Sequence, residues 1–297
     1  MTESTLTIVT AASENHARPL LNLLFSLDRY EPATRVVVYD LGLSERTLDV
    51  LHRQRRTVVP FRFADYPRHV GEQIGNKRLR TYAWKPALIH EVLRKEGLPL
   101  LYLDAGDLVH ERLDRVRQEL ARTSIYTPTS GGTLADWCHR GMLAAMRVEP
   151  EILHDLNRSA GLVGFGASDL AREIAEDWFA AAMQPEVICP PGADLKNHRF
   201  DQAVLSVLLA RAQRGRGLVL TDDNLGISVH NDGMSFANVT AFIQQPPGPR
   251  PAEQKRVRPI MPQPKRPRRK PPLRRLWRRI KRMLRGRNAA TRSPGQS

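Results

Sequence analysis

The amino-acid sequence predicts an α/β chain, an open sheet flanked by helices and followed by a disordered basic tail. Three observations predict it. Strand-like and helix-like stretches alternate between Leu6 and Phe63. A wholly apolar run, Leu100 to Leu103, stops abruptly at Asp104-Ala105-Gly106-Asp107, as a strand buried on both faces does at the rim of an open sheet. Composition then breaks at Gln244, beyond which proline and basic residues displace apolar ones.

Taken in order, Leu6 to Thr10 is β-branched and apolar and reads as the first strand. Ala11 to Asn15 is a small, polar turn, and Pro19 to Leu27 reads as the helix that follows. Thr34 to Tyr39 is a second buried strand ending at Asp40, with Gly42 close behind. Ser44 is an N-cap for a helix carrying Leu48 and Leu51, and Thr57 to Phe63 reads as a third strand. Strand, helix, strand, helix, strand implies parallel pairing with right-handed crossovers. Leu88, Ile89, Val92 and Leu93 form a helical stripe that Gly97 and Pro99 stop. Leu113 to Leu120 reads as helix, Ser124 to Thr129 with Gly131 and Gly132 as loop, and Trp137 to Met146 as a short mobile segment. Ser159 to Gly166 alternates small and apolar residues, as in a strand running close under a ligand. Ser168 caps a helix containing Leu170, Ile174 and Trp178; a helix spans Ala203 to Ala210; Leu218 to Leu220 and Gly226 to Val229 read as late strands.

Charge is unevenly placed. The chain has 297 residues and a formal charge of +15. Arg250 to Ser297 hold 18 of the 46 Lys and Arg residues and one acid, which leaves 28 bases against 30 acids before them. The basicity belongs to the tail, so an argument for nucleic acid concerns the tail alone. No run of about 18 apolar residues suggests a membrane span. The first residues lack the basic region of a signal peptide, and two cysteines fit no metal spacing, so a reducing, cytoplasmic compartment is expected, with one disulfide left open. The expected organisation is a body over 1–243, a Pro/basic linker over 244–271, a basic amphipathic helix over 272–287, and a disordered end over 288–297. From Leu273 to Leu284, Leu276, Trp277, Ile280 and Met283 share one helical face with Arg and Lys around it. That stripe points to an anionic membrane surface, on the inner face of the plasma membrane; a nucleic-acid arm or a solubilising tail would explain the charge but not the stripe.

The chemistry expected of the body centres on Asp104 and Asp107. Two carboxylates at a strand's carboxyl end suit a hard divalent cation, Mn²⁺ or Mg²⁺, and through it phosphate oxygens. Asp and Gly are equally ordinary turn residues, and that reading stands beside it.

Three stretches together resemble a GT-A-fold glycosyltransferase, closest in style to family 8: TIVTAASENHARPLLNLLFSL, YLDAGD, and SAGLVGFG followed by FDQAVLS. The resemblance covers about residues 5 to 235 and implies a GT-A-like, Rossmann-type mixed sheet flanked by helices. It implies that Thr10, Ala11 and Asn15 contact the nucleotide, with Ser13 where the family usually carries an aspartate. Asp104 matches the family's first acidic position, but Gly106 stands at the second and Asp107 comes one residue late. Asp104, Asp107 and His230 are the implied metal ligands, and Asp201 with Gln202 the implied catalytic pair. Lys77 or Arg80 would add a cation near the diphosphate, and Trp84 would cover the donor. Gly161 and His139 are candidates on the acceptor side. The implied activity moves a sugar, with retention, from a uridine diphosphate sugar to a glycan or lipid-linked acceptor. Two alternatives stay open: a catalytically inactive binding protein tethered by its tail, and a phosphate-handling hydrolase or nucleotidyltransferase on a similar sheet.

Overall fold

The computed structural model describes residues 6–71, 73–74 and 79–244. Its centre is a six-stranded mixed sheet. The strands are β1 (Thr7–Ala12), β2 (Arg35–Asp40), β3 (Thr57–Pro60), β4 (Leu100–Leu103), β5 (Ile125–Tyr126) and β6 (Leu162–Phe165), in the order β3-β2-β1-β4-β6-β5. The first four run parallel, with Val9 opposite Val37 and Ile8 opposite Leu101. β6 runs antiparallel to β4, pairing Val163 with Tyr102, and β5 is antiparallel to β6. The parallel half follows from the βαβ alternation in the sequence. The reversal at β6 makes the sheet mixed, as the GT-A-like resemblance implies.

Seven helices flank it: α1 (Ala17–Tyr30), α2 (Glu45–Arg53), α3 (Trp84–Glu96), α4 (Asp114–Thr123), α5 (Asp169–Ala182), α6 (Asp201–Arg216) and α7 (Phe236–Gln244). Successive strand residues point to opposite faces, which divides the core in two. Val9, Val37, Tyr39, Tyr102 and Val163 pack with α3, α5 and α6. Ile8, Val38, Leu101, Leu103 and Leu162 pack with α1, α2 and α4. All four residues of β4 are fully buried, so the strand that carries Asp104 is clamped from both sides.

Local signals read from the sequence act as expected at several ends. The Ser44 hydroxyl accepts from the Thr47 N–H at 3.3 Å, and the Ser168 hydroxyl from Ala171 at 3.1 Å. Gly97, at φ 79°, closes α3 in the left-handed region that favours glycine. Other expectations fail for identifiable reasons. Thr129–Thr133, expected as loop, is a strand paired with Leu156–Arg158, and Ile125–Tyr126 is the sheet edge. The segment over 137–146 is ordered as two short helices, Leu134–Trp137 and Arg140–Ala145. Leu218 to Leu220 has the composition of a strand but joins no sheet; Leu218 is buried while Val219 is exposed. The third strand ends at Pro60, short of Phe63. The linker, the amphipathic helix over 272–287 and the end over 288–297 lie outside the described residues.

Candidate functional site

A cleft of about 250 Å³ opens at the carboxyl ends of β1 and β4. Ala11, Asn15 and His16 form one wall, Tyr82 and Trp84 another, and Asp104 to Asp107 the floor; His230 and Asp232 close the remaining side. It lies where an open α/β sheet presents its ligand crevice.

The Asn15 wall is held from behind. The Ser13 hydroxyl donates to the Asn15 side-chain oxygen at 2.6 Å, which leaves the amide NH₂ group as a donor. The Glu14 carboxylate accepts from the Ser44 N–H at 2.7 Å and the Thr47 hydroxyl at 3.0 Å, tying the turn to the start of α2. Ser13 thus positions the asparagine side chain. Thr10 does not join this wall. It is fully buried inside β1, and its hydroxyl has no hydrogen-bond partner among the described residues.

The floor is built around a residue that the motif reading overlooks. Lys85, in the first turn of α3, is buried, and its Nζ lies 3.1 Å from Asp104 Oδ1 and 3.5 Å from Asp201 Oδ2. It also donates to the Ala160 carbonyl at 3.1 Å and sits 5.1 Å from the centre of the Tyr102 ring. Burial opposes its charge, but Asp104 and Asp201 outweigh that and raise its pKa. Asp201 responds differently: burial pushes its carboxyl up to about 6, with Lys85 pulling it down and Asp104 pushing it up. The two directions agree physically, since one ammonium is shared between two carboxylates and Asp201 has the more distant contact. Lys85 leaves a signal in the sequence, a lone cation inside the run Ala83-Trp84-Lys85-Pro86-Ala87-Leu88-Ile89, all of it buried.

Asp104 is the floor's accessible carboxylate, with its side chain 40% exposed. The Tyr102 hydroxyl donates to its Oδ1 at 2.8 Å, and its N–H donates to the Gly161 carbonyl at 2.7 Å. A Cβ on residue 161 would lie 2.5 Å from Asp104 Oδ2. Gly161 therefore leaves room for the Asp104 carboxylate and accepts from its backbone N–H. Asp201 and Gln202 open α6. Asp201 is buried behind Lys85 and does not itself line the cleft; neither does Gln202. The preceding Phe200 has φ 46°, Tyr82 has φ 55° and His230 has φ 63°. Tyr82 and His230 line the cleft, and side-chain-bearing residues at positive φ represent local strain of the sort found at functional sites.

The expected metal set is not assembled. Asp104, Asp107 and His230 line the same cleft, yet among the described residues no three His, Cys, Asp or Glu side chains come together to hold a metal ion. Asp107 is engaged in its own turn: Oδ2 accepts from the Asp104 N–H at 3.1 Å, and the His230 N–H also donates to this carboxylate. Burial and the neighbouring Asp104 raise its pKa well above the usual range. At the missing second acidic position, a Cβ on residue 106 would lie 2.6 Å from Asp232 Oδ1. The Asp232 carboxylate fills that volume, and it lies 3.9 Å from His16 Nε2. As placed, the residues do not fit the three-ligand set that the motif implies.

Trp84 lines the cleft, as expected. His139 does not; its Nδ1 accepts from the Gly141 N–H at 3.1 Å and caps the helix Arg140–Ala145. Lys77 lies outside the described residues, as does the side chain of Arg80, whose backbone pairs with Gln73.

A family model described as "Protein of unknown function (DUF1647)" matches residues 1–90. No curated protein matches the sequence. Among solved structures, the chain resembles the galactosyltransferase LgtC in complex with donor and acceptor sugar analogs, at 16% identity and TM-score 0.46, covering 80% of this chain and 95% of that one. An active-site mutant of LgtC gives 15% identity and TM-score 0.44, covering 82% and 98%. The bifunctional glycosyltransferase WbbM gives 12% and 0.45, covering 82% of this chain and 44% of that one.

Proposed function

We propose that the chain is a glycosyltransferase that transfers a sugar from a nucleotide diphosphate sugar, with uridine diphosphate as carrier, to a glycan or lipid-linked acceptor. The observation that supports this best is the Asp104–Lys85–Asp201 bridge beneath a cleft whose opposite wall is the Asn15 turn. The Asn15 amide is suited to the nucleobase. Asp104, with Oδ1 taken up by Tyr102 and Lys85, keeps Oδ2 to accept from hydroxyls of the ribose or the donor sugar. Lys85 offsets carboxylate charge that would otherwise repel a diphosphate, and buried Asp201 holds the Lys85 ammonium in place from behind. Retention of configuration is the outcome implied by the family resemblance. A divalent cation, Mn²⁺ or Mg²⁺, would stabilise the departing diphosphate, but the side chains in the cleft do not supply its ligands by themselves. The stripe over Leu273 to Leu284 is proposed to seat the enzyme on an anionic membrane from the cytoplasmic side, where a lipid-linked acceptor would be presented.

The unassembled metal set favours a second reading, a protein that binds the nucleotide sugar without turning it over. Thermal unfolding of the full chain with a panel of nucleotide sugars, each with Mn²⁺, Mg²⁺ or chelator, tests the binding, because a ligand of the native state raises its melting point by mass action. A rise with a uridine diphosphate sugar, lost in Asp104→Ala, is expected. Product analysis in the presence of acceptor then separates enzyme from binder. No response to any nucleotide sugar would overturn both readings.

A further inference from the structure

Arg199 has no part in the roles assigned above. Its guanidinium carbon lies 3.8 Å from the centre of the Trp137 ring, and the Arg199 backbone N–H donates to the Trp137 carbonyl at 3.1 Å. Trp137 is itself fixed, since its indole N–H donates to the Gly131 carbonyl at 2.7 Å. Gly132, at φ 89°, leaves room for that indole; a Cβ there would come within 2.4 Å of Nε1. Arg115, Arg117, Arg158, Arg211 and Arg214 each meet a carboxylate, but among the described residues none pairs with Arg199. It is half-buried, so much of its hydration is already lost without an anion to replace it.

The position is specific. Arg199 and Asp201 flank the strained Phe200. Tyr82, which lines the cleft, has its hydroxyl within electrostatic reach of Asp201, Lys85, Asp104 and Arg199 together. Arg199 and Trp137 do not line the cleft themselves; the link to it is Tyr82, which lines it and feels the Arg199 charge. Stacking uses one face of the guanidinium and leaves its N–H edge available, and that edge matches an oxyanion with two parallel hydrogen bonds.

We propose that Arg199, stacked on Trp137, anchors an oxyanion carried by the acceptor, either the carboxylate of an acidic sugar or a phosphate. Naming the ligand as the acceptor rests on the transferase reading; the oxyanion site does not.

The test uses the full chain and its Arg199→Gln and Arg199→Lys variants, titrated with D-glucuronic acid, inorganic phosphate and D-glucose at constant ionic strength, with binding read by tryptophan fluorescence. The basic tail is the same in all three chains, so only differences between them report on the site. The native chain is expected to bind one or both oxyanions at least about tenfold more tightly than Arg199→Gln, as loss of a charge-assisted fork implies. Arg199→Lys, with the charge but not the fork, falls between, and glucose gives no difference. A response to glucuronate alone assigns a carboxylate, and one to phosphate alone assigns a phosphate. Equal oxyanion binding by the native and Gln chains overturns the proposal. If the Gln chain does not fold, undiminished binding by the Lys chain overturns it instead. Stabilisation by nucleotide sugars is measured on the same native sample. Its failure would sink the transferase reading and leave the oxyanion result standing separately.

Discussion

Replacing Lys85 with methionine removes the cation between Asp104 and Asp201 while keeping an unbranched side chain in the first turn of α3. The two carboxylates do not suffer equally. Asp104 is 40% exposed, so water screens its loss, and its share of the cost is under about 1 kcal/mol. The Asp201 side chain is only 5% exposed, and the 3.5 Å ion pair with Lys85 is what faces Oδ2 among the described residues. Removing one partner of a buried pair in this way costs about 3–5 kcal/mol, a large share of the roughly 5–15 kcal/mol that holds a domain together. The cost depends on pH. The Asp201 carboxyl is raised from 3.8 to about 6 in the folded chain, and Lys85 is a main influence pulling it down. Between 3.8 and the folded value, the folded state holds a proton that the unfolded state has released, so stability falls as pH rises through that window. Losing Lys85 raises the folded value further and widens the window. Urea unfolding of the full chain, followed by circular dichroism, should show a deficit in Lys85→Met that is larger near about pH 8 than near about pH 5. Lys85→Met with Asp201→Asn should recover most of it, since no uncompensated buried charge remains. A deficit below about 1 kcal/mol at both pH values, or simple additivity of the two substitutions, would refute the reasoning.

Two further outcomes follow from close approaches in the cleft. Gly161→Ala places a methyl group 2.5 Å from Asp104 Oδ2 and must move that carboxylate; stabilisation by nucleotide sugar should fall at least about tenfold in apparent affinity while the unliganded melting point drops by only a few degrees, as for a loss of about 1–2 kcal/mol. Gly106→Asp restores the acidic spacing of the motif but drives its Cβ to within 2.6 Å of the Asp232 carboxylate, so it should lower the melting point, and adding Asp232→Gly should relieve the loss. If Gly106→Asp alone is neutral, Asp232 does not occupy the space assigned to it.

The parts of the fold legible in the sequence are those where one local signal suffices. Leu100–Leu103 announces a strand buried on both faces because all four residues are apolar, and Asp104 is conspicuous at its end. Ser44 and Ser168 cap helices through their own hydroxyls. The strand Thr129–Thr133 is hidden because its Gly131 and Gly132 read as turn, and only pairing with Leu156–Arg158, far along the chain, makes it a strand. Asp107 is obscured in the opposite way. Its residue type suggests a ligand, but its carboxylate is satisfied by backbone N–H groups that no spacing reveals. In sequence Lys85 shows only as a lone cation in an apolar run, and Arg199 as an ordinary surface cation. What distinguishes them is burial between carboxylates in one case, and an aromatic ring with no carboxylate partner in the other.

The reversal of β6 also governs which parts of the chain can be altered without disturbing the site. A parallel strand would deliver its following loop to the cleft; β6 delivers the loop before it, so Ser159 to Gly161 meets Asp104 and whatever follows Phe165 emerges at the opposite rim. Insertions or deletions over 134–160 should therefore reshape recognition, whereas changes of length just after Phe165 should leave it alone. For anyone grafting new specificity onto this scaffold, the segment that enters β6 is the one to diversify.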